Sequence, residues 1–393
     1  MKKFLLLAAA ALLISALPFA HAAPIPGDLT VIDDEEIYGL VTEALPLKDG
    51  MLVVGASEYE DNGWMASLRP DGKARWVLSE EGGGVFRCAG MTGDGGFSAL
   101  IKRRETHDYS GKQTGVDETL LAFISSDGKI TKTQSLAPYT EWMISHEDGF
   151  YLIGNAYGEP DSPQGEKPFQ AAITHLDSAG ETLWSLVYTN PAYTDMTFHK
   201  GVMAGDSLIV TGGGLTEDET RVGLIHRIGL DGRVLWDTYA QSLQQTFIND
   251  VRVTNGGLIT GCYTGISFEE EMGFPEGRSG FVFCLTLDGE VVWEHSLKDS
   301  LSADYLLPMA KGFLVGSRGL DPENCPNLGD GWLLLLDDSG NEVKPSVLPD
   351  IGGGRLELMG MAEAKDSGVL LYGAALEEPG FLGAPFVTRL NIP

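Results

Sequence analysis

Six side chains carry the chemistry this chain offers most openly: Glu43, Glu141, Trp142, Asp250, Asp304 and Tyr305. They are found by counting back from successive glycine turns to the start of an apolar strand. Seven register pairs arise: Thr42-Glu43, Cys88-Ala89, Glu141-Trp142, His199-Lys200, Asn249-Asp250, Asp304-Tyr305 and Gly360-Met361. If each strand is the innermost of a sheet in a ring, these pairs surround the central axis. Four carboxylates would then make an acidic mouth, with Trp142 and Tyr305 as flat stacking faces. Such a mouth suits a cationic or sugar-like ligand. The plainer alternative is that polar channel residues hold only water.

A second concentration of oxygen atoms lies between Asp321 and Asp330, where Asp321, Glu323, Asn324, Asn327 and Asp330 fall within ten residues. Carboxylates and amides of this kind suit calcium, with Asp321, Glu323 and Asp330 as charged ligands. The spacing is not that of a calcium-binding loop, and Gly-Asp-Gly is ordinary turn sequence. The run Glu269-Glu270-Glu271 reads as a solvated charge cluster.

Catalytic signatures are missing from the sequence. It contains no G-x-S-x-G, no H-E-x-x-H and no S-x-x-K with its partners. His107, His146, His175, His199, His226 and His295 follow no ligand spacing and fall mostly within strands. A glycosidase pair of carboxylates would leave no local motif, because its members come from distant strands.

Two interleaved repeats supply the elements that must position these residues. The first is a turn followed by a tryptophan: RPDGKARW (Arg69–Trp76), LDSAGETLW (Leu176–Trp184), LDGRVLW (Leu230–Trp236) and LDGEVVW (Leu287–Trp293), with weaker copies at Gly128 and Gly340. The six turn glycines, Gly72, Gly128, Gly180, Gly232, Gly289 and Gly340, are 51 to 57 residues apart. A period of that size marks small sheets that bury their faces only by stacking on one another. The second repeat is a glycine turn and short apolar strand, in seven copies from DGMLVVG (Asp49–Gly55) to SGVLLYG (Ser367–Gly373).

Seven strands against six turns predict how the ring closes. PFVTRLNIP (Pro385–Pro393) follows the seventh glycine-turn strand, and Leu29–Glu35 is placed to complete that last sheet. The expected fold is all-β: a seven-bladed β-propeller of four-stranded antiparallel blades, the last closed by the N-terminal strand. Trp76, Trp184, Trp236 and Trp293 each lie four residues after their turn glycine, which predicts packing between neighbouring sheets. Register with Leu120, Ala172, Leu224 and Phe281 places Trp64 and Trp332 in the core. The long loops, Arg103–Asp117, Tyr157–Lys167, Leu215–Thr220, Phe268–Arg278, Leu320–Asp330 and Leu376–Ala384, share the face where a site is expected.

The phrase L-D-x-x-G-E-T-L-W (Leu176–Trp184) and its shorter copies resemble the repeat of quinoprotein-type (PQQ-like) propellers, within the broader WD40-like class of propeller repeats. The resemblance spans most of the chain after residue 22 and implies a propeller fold, not an activity. Quinoprotein dehydrogenases have eight blades, adjacent cysteines and a carboxylate-amide calcium site. This chain counts seven blades and has no Cys-Cys, so no quinone cofactor is expected.

Composition narrows the setting. Lys2-Lys3, the apolar run Phe4–Leu17 and Ala20-His21-Ala22 read as a signal peptide over residues 1–22, with no lipid-acceptor cysteine at the cleavage site. Residues 23–393 read as one propeller domain, secreted or periplasmic and monomeric. The formal charge of −29 becomes −31 once Lys2 and Lys3 are removed, which disfavours nucleic acid and anionic membranes. No later segment is apolar enough to span a bilayer. Of the four cysteines, Cys262 and Cys284 fall on strands placed side by side, either as a disulfide or as separate buried thiols. The functional expectation is a non-catalytic binding or scaffold module for a protein or saccharide. The alternative is a carbohydrate-active enzyme using the channel-mouth carboxylates as acid and base.

Overall fold

Short apolar runs bounded by glycine turns dictate strands and little else, because turns recur before a helix can form. The computed structural model describes residues 25–32, 39–56, 62–80, 84–103, 118–157, 168–241, 245–254, 256–268, 275–297, 302–317, 332–347, 355–364, 368–376 and 384–391. Among them there are strands and no helix.

The first strand, β1 (Ile25–Val31), pairs with the last one, as described below. The next four, β2 (Leu40–Leu47), β3 (Gly50–Ala56), β4 (Gly63–Leu68) and β5 (Ala74–Ser79), form an antiparallel sheet in chain order. The same arrangement recurs in β6 (Gly84–Met91), β7 (Phe97–Arg103), β8 (Glu118–Ile124) and β9 (Ile130–Leu136). It recurs again in β10 (Thr140–His146), β11 (Gly149–Tyr157), β12 (Phe169–Asp177) and β13 (Thr182–Tyr188). Two further sets follow: β14 (Asp195–Met203) to β17 (Val234–Ala240), through β15 (Ser207–Leu215) and β16 (Arg221–Gly229), and β18 (Gln245–Val253) to β21 (Val291–Ser296), through β19 (Ile259–Phe268) and β20 (Pro275–Leu285). One parallel bridge, Arg221 to Gln245, joins these two into an eight-stranded sheet. The next sheet is β22 (Tyr305–Pro308), β23 (Phe313–Ser317), β24 (Trp332–Leu336) and β25 (Glu342–Val347). Finally β26 (Arg355–Glu363), β27 (Val369–Leu376) and β28 (Ala384–Asn391) pair in order, and β1 adds antiparallel to the free edge of β28.

Burial peaks in the middle strands of a set and falls at the fourth. Second and third strands such as β4 and β15 are buried on both faces, whereas fourth strands such as β13 are largely exposed. The core is therefore a series of apolar layers between sheets. Leu52 and Met65 pack against Phe86 and Ala99, and Tyr151 and Ile173 against Phe198 and Leu208. Val41, Val53 and Trp64 meet Tyr372 and Val387 of the last sheet.

The tryptophans act between sheets. Trp76 Nε1 donates to Ser126 O, Trp236 Nε1 to Leu287 O and Trp293 Nε1 to Asp338 O, at 3.0, 2.7 and 3.1 Å. Each acceptor lies two residues before a turn glycine of the following sheet. Those tight turns each carry a left-handed glycine, Gly128, Gly289 and Gly340 at φ +83, +83 and +80. A Cβ on Gly128 would stand 2.5 Å from the Trp76 ring. Glycine therefore supplies both the conformation and the room for the indole.

Cys88, Cys262 and Cys284 are free, buried thiols. Cys262 faces Val282 and Cys284 faces Thr260, so the two lie on adjacent strands but diagonally. Leu215–Thr220, expected as a long loop, is instead a tight turn: Thr216 and Thr220 close it by a backbone bond and Glu219 takes φ 61. The other five long loops lie wholly or mostly outside the described residues.

Candidate functional site

In six of the strand sets described above the first, inner strand contains a bulge at one equivalent place. The ladder register shifts at Thr42, Arg87, Glu141, His199, Asn249 and Met359. In the sixth sheet Asp304 stands just before β22 and donates its amide to Gly316 O. An extra residue of this kind leaves the ladder and re-aims its side chain. Five of the seven register pairs from the sequence coincide with these positions. In the second sheet the pair is Arg87-Cys88 rather than Cys88-Ala89, and in the last it is Met359-Gly360 rather than Gly360-Met361.

Five of the six bulge residues, Thr42, Arg87, Glu141, His199 and Met359, border a cavity of about 1760 Å³ along the inner strands; Asn249, Asp250 and Asp304 are not among its lining residues. Arg87, Glu141, His199 and Tyr305 line it, as do Glu43, Trp142, Lys200 and Arg252. Tyr372 enters from β27 over Gly360, where a Cβ would lie 2.3 Å from the phenol oxygen.

Residues immediately after the bulge do a structural job. Glu43 Oε2 accepts the Ala89 amide at 2.8 Å, and Asp250 Oδ2 accepts the Leu306 amide at 3.1 Å. Both bonds run from one inner strand to the next, between equivalent positions. The Cys88 sulfur faces the Met143 amide in the same register.

The two carboxylates differ in their counter-charges. Asp250 is sealed from solvent, with Lys200 Nζ 2.6 Å from Oδ1 and Arg252 Nε 3.3 Å from Oδ2. Burial works against its ionisation, but Arg252, Lys200 and their hydrogen bonds outweigh that and hold its pKa below the ordinary value. Glu43 has neither cation in hydrogen-bond contact. Desolvation raises it from 4.5 to about 7, only partly offset by the Ala89 amide and the more distant Lys200 and Arg252. Lys200 also sits 5.0 Å from the Trp142 ring centroid, a cation–π contact that covers one face of the indole.

The remaining expected residues are also engaged. Glu141 Oε1 accepts Lys102 Nζ at 2.5 Å. Asp304 Oδ2 accepts the hydroxyls of Ser302 and Ser317 at 3.0 and 2.9 Å. The acidic mouth expected from the sequence is thus crossed by cations: Lys102, Lys200 and Arg252 sit on its carboxylates. His199 bonds Thr197 Oγ1 at 3.0 Å, and desolvation lowers its pKa, so at neutral pH its ring is uncharged. The calcium candidates Asp321, Glu323 and Asp330 lie outside the described residues. Among the described residues no cluster of three or more His, Cys, Asp or Glu side chains is arranged for a metal.

Sequence reasoning missed Arg87, and a signal for it existed. Thr42, Arg87, Glu141, Asn249 and Asp304 each lie eight residues before a glycine of positive φ: Gly50, Gly95, Gly149, Gly257 and Gly312. In Gly95-Gly96 it is Gly95 that takes the left-handed conformation, at φ +84. Counting from Gly96 displaces the register by one.

No protein-family model matches the chain, and no curated protein does. Solved structures do. The polysaccharide lyase Uly1 aligns with a TM-score of 0.57 at 9% identity, covering 90% of each chain. A polysaccharide lyase described as an ulvan lyase bound to -[GlcA(1-4)Rha3S]- aligns at 0.53 and 10% identity, covering 93% of this chain and 94% of that one. The WD40 domain of Pan2 from Neurospora crassa aligns at 0.50 and 10% identity, covering 90% of each. At such identities the likeness is one of fold: the chain is all-β, built largely of four-stranded antiparallel sheets, and similar to β-propellers. No helix among the described residues is long and apolar enough to cross a membrane.

Proposed function

We propose that the protein is an exported, monomeric, seven-bladed propeller, its last blade closed by β1, that binds a saccharide or protein ligand at the loop end of the central cavity. The carrying observation is that the candidate carboxylates are already committed. Glu43 and Asp250 staple neighbouring inner strands, Asp250 and Glu141 hold cations, and Asp304 is tied to two serines. Held in this way, Glu43 and Glu141 give the cavity a fixed polar wall, which is what selective binding requires. An acid–base pair for glycoside cleavage needs two carboxyls with opposed protonation and freedom to reach the bond. The seven-blade reading draws on the pairing of β1 with β28 and the packing of the first sheet on the last.

Turnover of a saccharide is the second reading, favoured by one feature. Glu43 faces the cavity with a pKa near 7, the range of a general acid at neutral pH. The fold also resembles that of two polysaccharide lyases.

A panel of defined oligosaccharides, assayed for both binding and product, separates the readings. Binding without product, retained in Glu141→Gln and Asp304→Asn, is the expected result. Product formation lost in those variants while binding persists would establish the enzyme. Neither binding nor product across the panel removes the saccharide from both.

A further inference from the structure

We propose that the cavity takes an anionic group, a carboxylate or sulfate ester carried on a saccharide, and that Arg87 is its anchor. The proposal rests on the cavity being a binding site and specifies the charge of what enters it.

Arg87 is the bulge residue of β6, re-aimed out of the ladder between Phe86 and Cys88, and it lines the cavity. Its Nε is buried and has no hydrogen-bond partner. The guanidinium makes no ion pair or hydrogen bond among the described residues. A buried guanidinium N–H left without a hydrogen bond is costly, so a folded chain keeps one where something outside the fold completes it.

Neighbouring cations sharpen the contrast. Lys102 is spent on Glu141, Lys200 on Asp250 and the Trp142 ring, and Arg252 on Asp250 and Leu306 O. One carboxylate, Asp250, serves both Lys200 and Arg252, which leaves one positive charge over in that trio; of the other carboxylates on the cavity wall, Glu141 is paired with Lys102 and Glu357 is buried. Glu43 interacts electrostatically with Lys200 and Arg252. It also titrates near neutrality, which weakens the negative charge facing an incoming anion. The other end of the cavity, beside Lys311, Asp337 and Asp338, is more acidic. An anionic ligand is therefore oriented with its charge toward Arg87. A guanidinium presents a planar fork that matches carboxylate and sulfate oxygens in pairs, which an ammonium cannot do. Uncharged His199, also on the cavity wall, and Tyr305 add neutral polar surface for the sugar hydroxyls.

The test uses the full chain after export and isothermal titration with four probes. Tetragalacturonate carries carboxylates, a chondroitin 4-sulfate tetrasaccharide adds sulfate, cellotetraose is neutral and chitotetraose amine is cationic. The expected result is binding of one or both acidic probes, weakened roughly tenfold in Arg87→Gln and less in Arg87→Lys, and falling as salt rises. Comparison of the two acidic probes identifies which anion is preferred. Because Arg87 has no partner, Arg87→Met should melt no lower than wild type. A marked fall in its melting temperature would assign Arg87 a structural role and overturn the proposal. Acidic probes binding equally well to Arg87→Gln would also overturn it. Binding of cellotetraose or chitotetraose amine alone would overturn the anionic assignment while leaving the cavity a binding site. No binding by any probe would overturn both.

Discussion

Glu43 and Asp250 occupy one register position and make one kind of bond, yet their protonation chemistry is opposite. The difference lies in what each carboxylate touches. Asp250 is charged because two cations sit on it, and its contribution to stability is present above the unfolded pKa and lost as pH falls through its depressed folded value. Removing it strands Lys200 and Arg252, so Asp250→Ala is expected to cost about 3–5 kcal/mol in denaturant unfolding at pH 7. Glu43 has its pKa raised, so its contribution is present below about 4.5 and lost as pH rises through about 7. At 1.36 kcal/mol per unit, the loss across that window is about 3 kcal/mol. Glu43→Gln keeps an acceptor for the Ala89 amide and never ionises. It should match wild type near pH 4.5 and melt at a higher temperature above pH 7. Identical melting curves at pH 8.5 would show that the Glu43 charge is compensated after all.

At the scale of the element, the first and fifth sheets are tied to the next at both their inner and their outer strands. Outside, an indole N–H reaches the turn of the following sheet; inside, a bulge residue's successor reaches the following inner strand. Trp236→Phe keeps most of the ring and loses the bond to Leu287 O, so it should cost about 1 kcal/mol. Gly289→Ala forces a Cβ into φ +83 and within 3.0 Å of the same ring, and should cost more than the loss of that bond alone. If chemical denaturation ranks the two the other way, the turn is not the fixed partner it is taken to be. These outer contacts were legible in the sequence, because glycine and tryptophan keep a spacing of four and both residue types have few other uses. The inner register was legible in five sheets and displaced by one in two. A strand reverses its face with every residue, so locating Arg87 needed to know which glycine of Gly95-Gly96 is left-handed. Pairing of charges was not legible at all: Lys102, Lys200 and Arg252 reach Glu141 and Asp250 only once separate strands are brought together, and no spacing along the chain encodes that.

For the whole molecule, the proposed ring makes a demand that no single sheet makes. One such sheet cannot bury both of its faces alone, and each apolar layer here is shared between two sheets, so an open ring exposes a layer at either side of the gap. The layer between last and first sheets holds Val41 and Trp64 on one side and Ile32, Tyr372 and Val387 on the other. Beside it β1 covers the edge of β28 with backbone bonds from Ile25 to Val31, interrupted by one register shift. If closure is by this strand, losing it affects sheets far from the termini. A chain lacking Ile25–Val31 should then unfold at lower denaturant over a broader transition than wild type, and self-associate through the bared β28 edge in size-exclusion chromatography. Adding the missing segment as a peptide should restore the monomer. A truncated chain that remains monomeric with an unchanged, sharp transition would mean that the ring is held by its interior layers, and that β1 is an addition to a propeller already closed.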